Sequence, residues 1–452
     1  MGEATQKNLT LTTGSIPGGI LQFAWPLFLG QLLQQFYNMA DAWVVGNFAS
    51  NEAFAAVSSG GSLTFMIVGF FNGIAIGSGV VISRYFGARD WKNTQSAIHN
   101  AFLFALLASL LATVVGLVLV PKMLVLMGTP EDVLPYSLQY FRVYFAGVST
   151  IILYNIGMSI MRAVGNSMQP LYFLIISSIT NVVLDLLFVA VFHWDVAGAA
   201  IATVLAQGLS AGLCIWKMLS DPEEITRLDL KKLHWDGAMM RRMFTQGLPT
   251  GVQNAVISLG NVVVQSNVNS FGSFAMSGMG AYSKVEGFAF LPVTAMSMTL
   301  PTFVSQNLGA GNVQRAKKGS LFGVLAGMAA AELIGVGIYI LAPSLLGLFI
   351  SEPEAIRYGV IHSRVDTLFY CMLAMAHCVA GVLRGCGKSS VPMVVMLGCW
   401  CVLRCVYVTV ILRFVREFAM ISWAYPLTWT VSCVLFVWYL SRMNWEKAAQ
   451  TL

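Results

Sequence analysis

From Ala101 to Val120 the chain reads AFLFALLASLLATVVGLVLV, without one charged residue. A helix that crosses a bilayer needs about 20 such residues, and backbone groups in lipid must find their partners within the chain, which leaves helices or closed barrels. Continuous apolar runs, rather than short alternating ones, select helices. We place spans at 16–44, 53–83, 94–120, 132–158, 168–192, 196–219, 239–269, 276–306, 316–346, 355–381, 391–412 and 417–440. Composition agrees: 10% of the 452 residues are charged and 57% hydrophobic, with a mean hydropathy of +0.73, whereas a soluble domain is about a quarter charged. The expected fold class is an all-α integral membrane protein with twelve transmembrane helices.

The polar start MGEATQKNLTLTTGS lacks the basic, apolar and small-residue pattern of a removable signal, and Gln6 breaks the myristoylation pattern. With both termini cytoplasmic, the inside segments hold most of the 26 basic residues, from Arg84, Arg89 and Lys92 to Arg442 and Lys447. This is the positive-inside bias of a multi-pass cell-membrane protein. It accounts for the net charge of +6 without a nucleic-acid partner. The eight cysteines form no C-x-x-C pair, which argues against a disulfide framework or a zinc site. No P-loop is present, so ATP bound by this chain is not expected to supply energy.

The chain repeats itself. At a shift of 222 residues TPEDVLPYSLQYFRV falls on SEPEAIRYGVIHSRV, RAVGNSMQP on RGCGKSSVP, and YFGARD on NLGAGN; near the start of each half the shift is 223, setting Pro26 over Pro249. Six helices per half give both halves the same orientation, a layout known among secondary transporters. The expected organisation is an amino-terminal six-helix lobe over 1–219, a cytoplasmic connector over 220–238, and a carboxyl-terminal six-helix lobe over 239–452.

Function is sought where the halves differ, because an ionisable group inside a span is costly. Asp41 and Asp185 lie in spans of the first half, and their repeat positions hold Val263 or Val264, and Tyr407. Tyr37 and Asn38 precede Asp41 at helical spacing, as Asn181 precedes Asp185, and Thr203 lies on the next helix. These oxygens suit a dehydrated Na⁺, or one proton shared between carboxylates that will not both stay charged. Two plainer readings stand beside this one: Asp41 as a wetted helix end, and Asp185 as an interhelical hydrogen-bonding group. In the second half Lys284 and Glu286 lie within the eighth span, two residues apart and so on nearly opposite faces. They are candidates for a cavity or gate, or for structural ion pairs. Pro26 favours a bend in the first helix, moving or static.

Taken together, AWPLFLGQ, YNMADAWVVG, RYFGAR, QNLGAG, SIMRAVGNSMQP, GVLRGCGKSSVP and SKVEGFAFLP resemble the multidrug and toxic compound extrusion (MATE) transporters, over essentially the whole chain. The closest likeness is to the prokaryotic branch with DNA-damage-inducible-F-like proteins. The resemblance implies a transporter rather than an enzyme: a secondary active antiporter that exports organic, often cationic and amphipathic compounds in exchange for H⁺ or Na⁺. It implies an ion site at Asp41, Asn181, Asp185 and Thr203 with Tyr37 alongside, possible Na⁺ ligation there, and a bending proline at Pro26. Another branch, Na⁺-coupled through its carboxyl lobe, has acids in helices seven and ten. Here the seventh span and FYCMLAMAHCVAGVLRG have none, and Asp366 is expected nearer the outer end. A carboxyl-lobe Na⁺ site is therefore not expected. The expected protein is a monomer without a cofactor, with the bilayer and a small organic substrate as partners. The alternative within transport is a flippase for a lipid-linked precursor.

Overall fold

The repeated loops show most directly how sequence becomes geometry. The computed structural model describes residues 11–50, 56, 61–126, 129–223 and 226–450, and in it four loops end their helices in one way. Arg89 N donates to Phe86 O and Asp90 N to Tyr85 O; Gly311 N donates to Leu308 O and Asn312 N to Asn307 O. Gly165 and Asn166 bond back to Arg162 and Met161, and Gly387 and Lys388 to Arg384 and Leu383, at 2.9–3.0 Å. These nested bonds form a Schellman cap, which needs one residue in the left-handed region. Gly165 (φ +90°), Gly311 and Gly387 (both +74°) take it without a Cβ penalty, and Arg89 takes it at +56°.

Between these caps run the spans. In the first half they are α1 (Ile16–Phe48), α2 (Gly61–Gly87), α3 (Trp91–Leu126), α4 (Leu134–Ala146 then Val148–Ala163), α5 (Met168–Asp185 with a π-helical continuation Leu186–Val191) and α6 (Asp195–Leu219). The second half has α7 (Gly237–Asn269), α8 (Ser273–Gly309), α9 (Val313–Gly347), α10 (Pro353–Asp366, a 3₁₀ turn Thr367–Phe369, then Tyr370–Gly385), α11 (Ser390–Met396, a π-helical Leu397–Leu403, then Arg404–Phe414) and α12 (Phe418–Arg442). A short α13 (Trp445–Gln450) follows, which the apolar runs did not indicate. Among the described residues ten helical stretches are long and apolar enough to cross a membrane, and α4, bent by 48°, makes an eleventh. The twelfth, α7, is long enough but carries Gln246, Gln253, Asn254, Asn261 and Gln265. The fold is the expected twelve-helix, all-α one. Met1 to Thr10, with Lys7, and the expected start of the second span at 53–60, apart from Ala56, lie outside the described residues.

Expected as one span, α4 breaks at Gly147, where a Cβ would collide with the Val204 side chain of α6. Contact between the two helices thus fixes the bend. In α10 the 3₁₀ turn frees the Cys371 amide, and Glu332 of α9 accepts from it at 2.9 Å. Backbone left unpaired by a helix break is tolerated at membrane depth only where protein satisfies it, and this explains an acid inside the ninth span.

Two compact units divide the chain, one built on Leu29–Gly251 and the other on Leu11–Phe28 with Val252–Leu452. Both divisions fall inside helices, two residues after Pro26 in α1 and two after Pro249 in α7, and the connector 220–238 lies with the first unit. In the first unit the start of α7 is held backbone to backbone: a Cβ on Gly73 or Gly77 of α2 would meet the main chain of Gly251 or Gly247, the close approach that small residues permit between membrane helices. Asp236 Oδ1 caps α7 by accepting from Ala238 N (2.9 Å) and Met239 N (3.1 Å). Asp236 N donates to Asn100 Oδ1 at 2.9 Å. In the second unit Arg315 grips the segment ahead of α1, donating to the carbonyls of Leu11 (3.1 Å), Thr13 (2.7 Å) and Gly14 (2.7 Å).

This packing separates two kinds of glycine. Gly77→Val should lower the thermal unfolding midpoint of the detergent-solubilised protein, by about 1–3 kcal/mol or more as overpacking does. Gly337→Ala, on a helix with open space around it, should leave the midpoint unchanged or raise it.

Candidate functional site

The first unit brings together the polar residues of α1, α5 and α6. One turn of α1 separates Tyr37 from Asp41, and one turn of α5 separates Asn181 from Asp185, so each pair shares a face. Asn181 and Asp185 are buried, and the Asp41 and Asp185 carboxyls are in side-chain hydrogen-bond contact. With its amide turned so that nitrogen faces an acceptor and oxygen a donor, Asn181 Nδ2 donates to Asp185 Oδ2 at 2.7 Å, and its oxygen accepts from Thr203 N at 3.3 Å. The Tyr37 and Thr203 hydroxyls meet, while Thr203 Oγ1 also donates to Ala199 O at 3.0 Å. Asn38 is exposed and takes no part.

Two oxygens of the cluster have no hydrogen-bond partner: the buried Oδ1 atoms of Asp41 and of Asp185. An unpaired buried acceptor is costly, and two carboxylates side by side repel unless something positive lies between them. The geometry therefore suits a proton shared by the acids, or a small hard cation, which prefers oxygen ligands of this type. Asp185 is the last residue of the α-helical part of α5, and the π-helical stretch begins directly after it. Such widened turns recur at functional sites. Tyr140 of α4 lies within electrostatic reach of Asp41, Asp185 and Tyr37, and stacks with Tyr144 at 5.9 Å. These two tyrosines were not singled out in the sequence, although their i, i+4 spacing in LQYFRVYF was a signal.

Pro26 lies inside an unbroken α1, fifteen residues before Asp41 and so about 22 Å away along the axis. It belongs to the stretch of α1 that groups with the second unit.

In the second unit Lys284 is exposed and Glu286 is half-buried; they do not pair with each other. Glu286 instead lies within reach of Asp366, His362 and Arg404. Asp366 closes the first part of α10, ahead of the 3₁₀ turn Thr367–Phe369, and is fully buried. His362 Nε2 lies 3.0 Å from Asp366 Oδ2, and His362 Nδ1 lies 2.8 Å from Ser422 Oγ. Tyr282 and Tyr370 share a 2.6 Å hydroxyl contact. Arg404, which follows the π-helical stretch of α11, reaches Thr428 Oγ1 at 3.0 Å and lies over the Tyr425 ring at 4.3 Å. Tyr425 occupies the repeat position of Thr203. Where the first unit has an amide, a hydroxyl and paired acids, the second has a guanidinium seated on an aromatic ring beside an acid–imidazole pair. The sequence hid this set because its members come from four helices. Among the described residues no group of three or more His, Cys, Asp or Glu is placed to hold a metal ion.

A MatE family model matches residues 26–187 and again residues 249–410, the same register as the internal repeat near the start of each half. The chain is similar to the probable multidrug resistance protein YpnP of Bacillus subtilis (strain 168), with 28% identity over 88% of this chain and 89% of that one. It is 25% identical to the FAD transporter of Shewanella oneidensis over 84% of each. A solved structure described as the outward-facing conformation of a multidrug resistance MATE family transporter superposes with a TM-score of 0.91 at 20% identity, covering 100% of both chains.

Removing one member of a buried pair strands the other, at about 3–5 kcal/mol. Asp366→Leu should therefore strongly lower the unfolding midpoint. The double variant His362→Phe/Asp366→Leu should lose less than the two single losses combined, measured as a double-mutant cycle.

Proposed function

Because the chain belongs to the MatE family, whose members are membrane transporters and not enzymes, we propose that it is a secondary active antiporter that exports organic compounds in exchange for H⁺ or Na⁺. The observation that carries this reading is the contact between Asp41 and Asp185, each with a buried oxygen lacking a hydrogen-bond partner. A proton arriving there forms one O–H···O bond between the acids. A Na⁺ draws its oxygens from Asp41, Asp185, Asn181 and Thr203. Either removes one of the pair's two negative charges, so a cationic, amphipathic substrate drawn by the same charge is displaced. Mutual competition is all that coupling requires, since linkage makes each ligand lower the affinity for the other by the same factor.

The cycle we infer is alternating access: the ion enters from outside, substrate leaves outward, and the loaded carrier releases the ion to the cytoplasm. Both termini lie on the cytoplasmic side in this reading, as the basic loops favour. Pro26 removes one backbone bond from α1, and we assign it as the hinge of that helix. Lys284 and Glu286 take cavity or gating roles. The protein works as a monomer in the cell membrane.

Uptake of a fluorescent organic cation into inside-out vesicles, under imposed pH or Na⁺ gradients, tests the proposal. Asp41→Asn and Asp185→Asn should each lower gradient-driven uptake at least about ten-fold, the effect of losing 1.4 kcal/mol of coupling. Uptake that survives both substitutions sinks the coupling site, and the gradient that drives the wild type names the ion. Pro26→Ala should slow uptake while leaving substrate affinity nearly unchanged.

A further inference from the structure

Each half of the chain ends its fourth and sixth spans around a cleft, and the repeat makes the two clefts comparable position by position. In the first half the cleft is nearly closed, with about 20 Å³ left among residues that include Asn166, Lys217, Asp221 and Thr226. The connector contributes Asp221 and Thr226 to its walls. Thr226 is buried and donates to Asp221 Oδ2 at 2.9 Å, and Leu228 N donates to Met218 O at 2.9 Å.

The second half has the corresponding cleft in a wider form, and where the first is lined by one base and one acid, the second is lined by bases alone. The 222-residue shift carries Asn166 to Lys388, Ser220 to Arg442, Asp221 to Met443 and Thr226 to Ala448. The same shift carries Lys217 to Tyr439 and Ile225 to Lys447, so one acid and one base are lost and three bases are gained. The result is a cavity of about 340 Å³ lined by Lys388, Arg442 and Lys447 together with Trp438, Tyr439 and Asn444, and among the described residues no acidic side chain lines it. Its walls are built in place. The Schellman cap at Gly387 sets Lys388 through its amide bond to Leu383 O at 2.9 Å. The Arg442 guanidinium lies over the Trp438 ring at 4.9 Å, and Asn444 Oδ1 starts α13 by accepting from Lys447 N at 3.0 Å.

We propose that this cavity binds the phosphate of an anionic phospholipid headgroup. Three cations converging without an acid select an anion, and basic pockets between membrane helices are suited to lipid phosphates. The lipid, rather than a free phosphate, is indicated by the α12 surface leading to the cavity. Val434, Val437 and Trp438 are 62%, 48% and 53% exposed there, an apolar track for acyl chains that ends in the Trp and Tyr typical of the membrane interface. The inference goes beyond the antiport proposal and does not depend on it.

Native mass spectrometry of the full chain in detergent, titrated with phosphatidylglycerol or phosphatidylcholine, tests it. The wild type should retain phosphatidylglycerol in preference to phosphatidylcholine. Lys388→Gln/Arg442→Gln/Lys447→Gln should weaken that binding on the order of 100-fold, at about five-fold per cation, while Lys231→Gln/Lys232→Gln on the connector should not. Charge-retaining Lys388→Arg/Arg442→Lys/Lys447→Arg should restore most of it. If the triple variant does not fold, Lys388→Gln alone should show the five-fold loss. Equal retention of the two lipids, or unchanged phosphatidylglycerol binding in the folded neutral variants, overturns the proposal. Displacement of the lipid by millimolar inorganic phosphate also overturns it, by making the ligand a soluble anion.

Discussion

A backbone amide in hydrocarbon has no water to turn to, and this one constraint organises the molecule. It makes the spans helical, and it also dictates where helices are allowed to stop or widen. The four Schellman caps satisfy the carbonyls at the loop ends from within the loop itself. Where a span breaks inside the protein, a neighbour supplies the missing partner, as Glu332 does for the Cys371 amide. The π-helical stretches after Asp185 and before Arg404 are departures of the same kind. Each abuts the charge that sets its half apart.

A duplicated scaffold makes those departures readable. Both halves share several loop motifs, the matched prolines Pro26 and Pro249, Pro121 and Pro343, and Pro170 and Pro392, and their order of spans, so symmetry alone does not explain an acid present in one half and absent from the other. The first unit gathers acceptors with buried oxygens left over. The second gathers an arginine, a histidine, two acids and several tyrosines; the Asp366 oxygens there also lack a hydrogen-bond partner, but His362 Nε2 lies 3.0 Å from one of them. Arg404 covers the Tyr425 face, where an external cation would otherwise be attracted. The second unit's clear opening to anions lies elsewhere, among the bases at the end of α12.

Much of this was legible in the chain, for reasons that differ by feature. Spans are legible because hydrocarbon imposes a length. The grouping of Tyr37, Asp41, Asn181, Asp185 and Thr203 was suggested by helical spacing within each segment together with the failure of the repeat at those positions. The His362, Asp366, Glu286 and Arg404 set was not legible: it joins α8, α10 and α11 through tertiary packing, and only His362 and Asp366 are neighbours on one helix. The bend in α4 was hidden for a similar reason. Gly147 is unremarkable in sequence until the Val204 side chain lies against it. The exposure of Asn38, three residues from Asp41, shows the limit of spacing: it names a face but not which edge of that face is covered.

The division of α1 and α7 between the two units bears on how the halves of the chain can be separated. Each half begins with a stretch, Leu11–Phe28 or the start of α7 up to Gly251, that groups with the other half's unit. The same division thus appears once in each copy of the internal repeat. Both divisions fall two residues beyond a proline, Pro26 or Pro249, at matching positions of the repeat. A cut in the connector would therefore part each leading segment from the unit with which it groups.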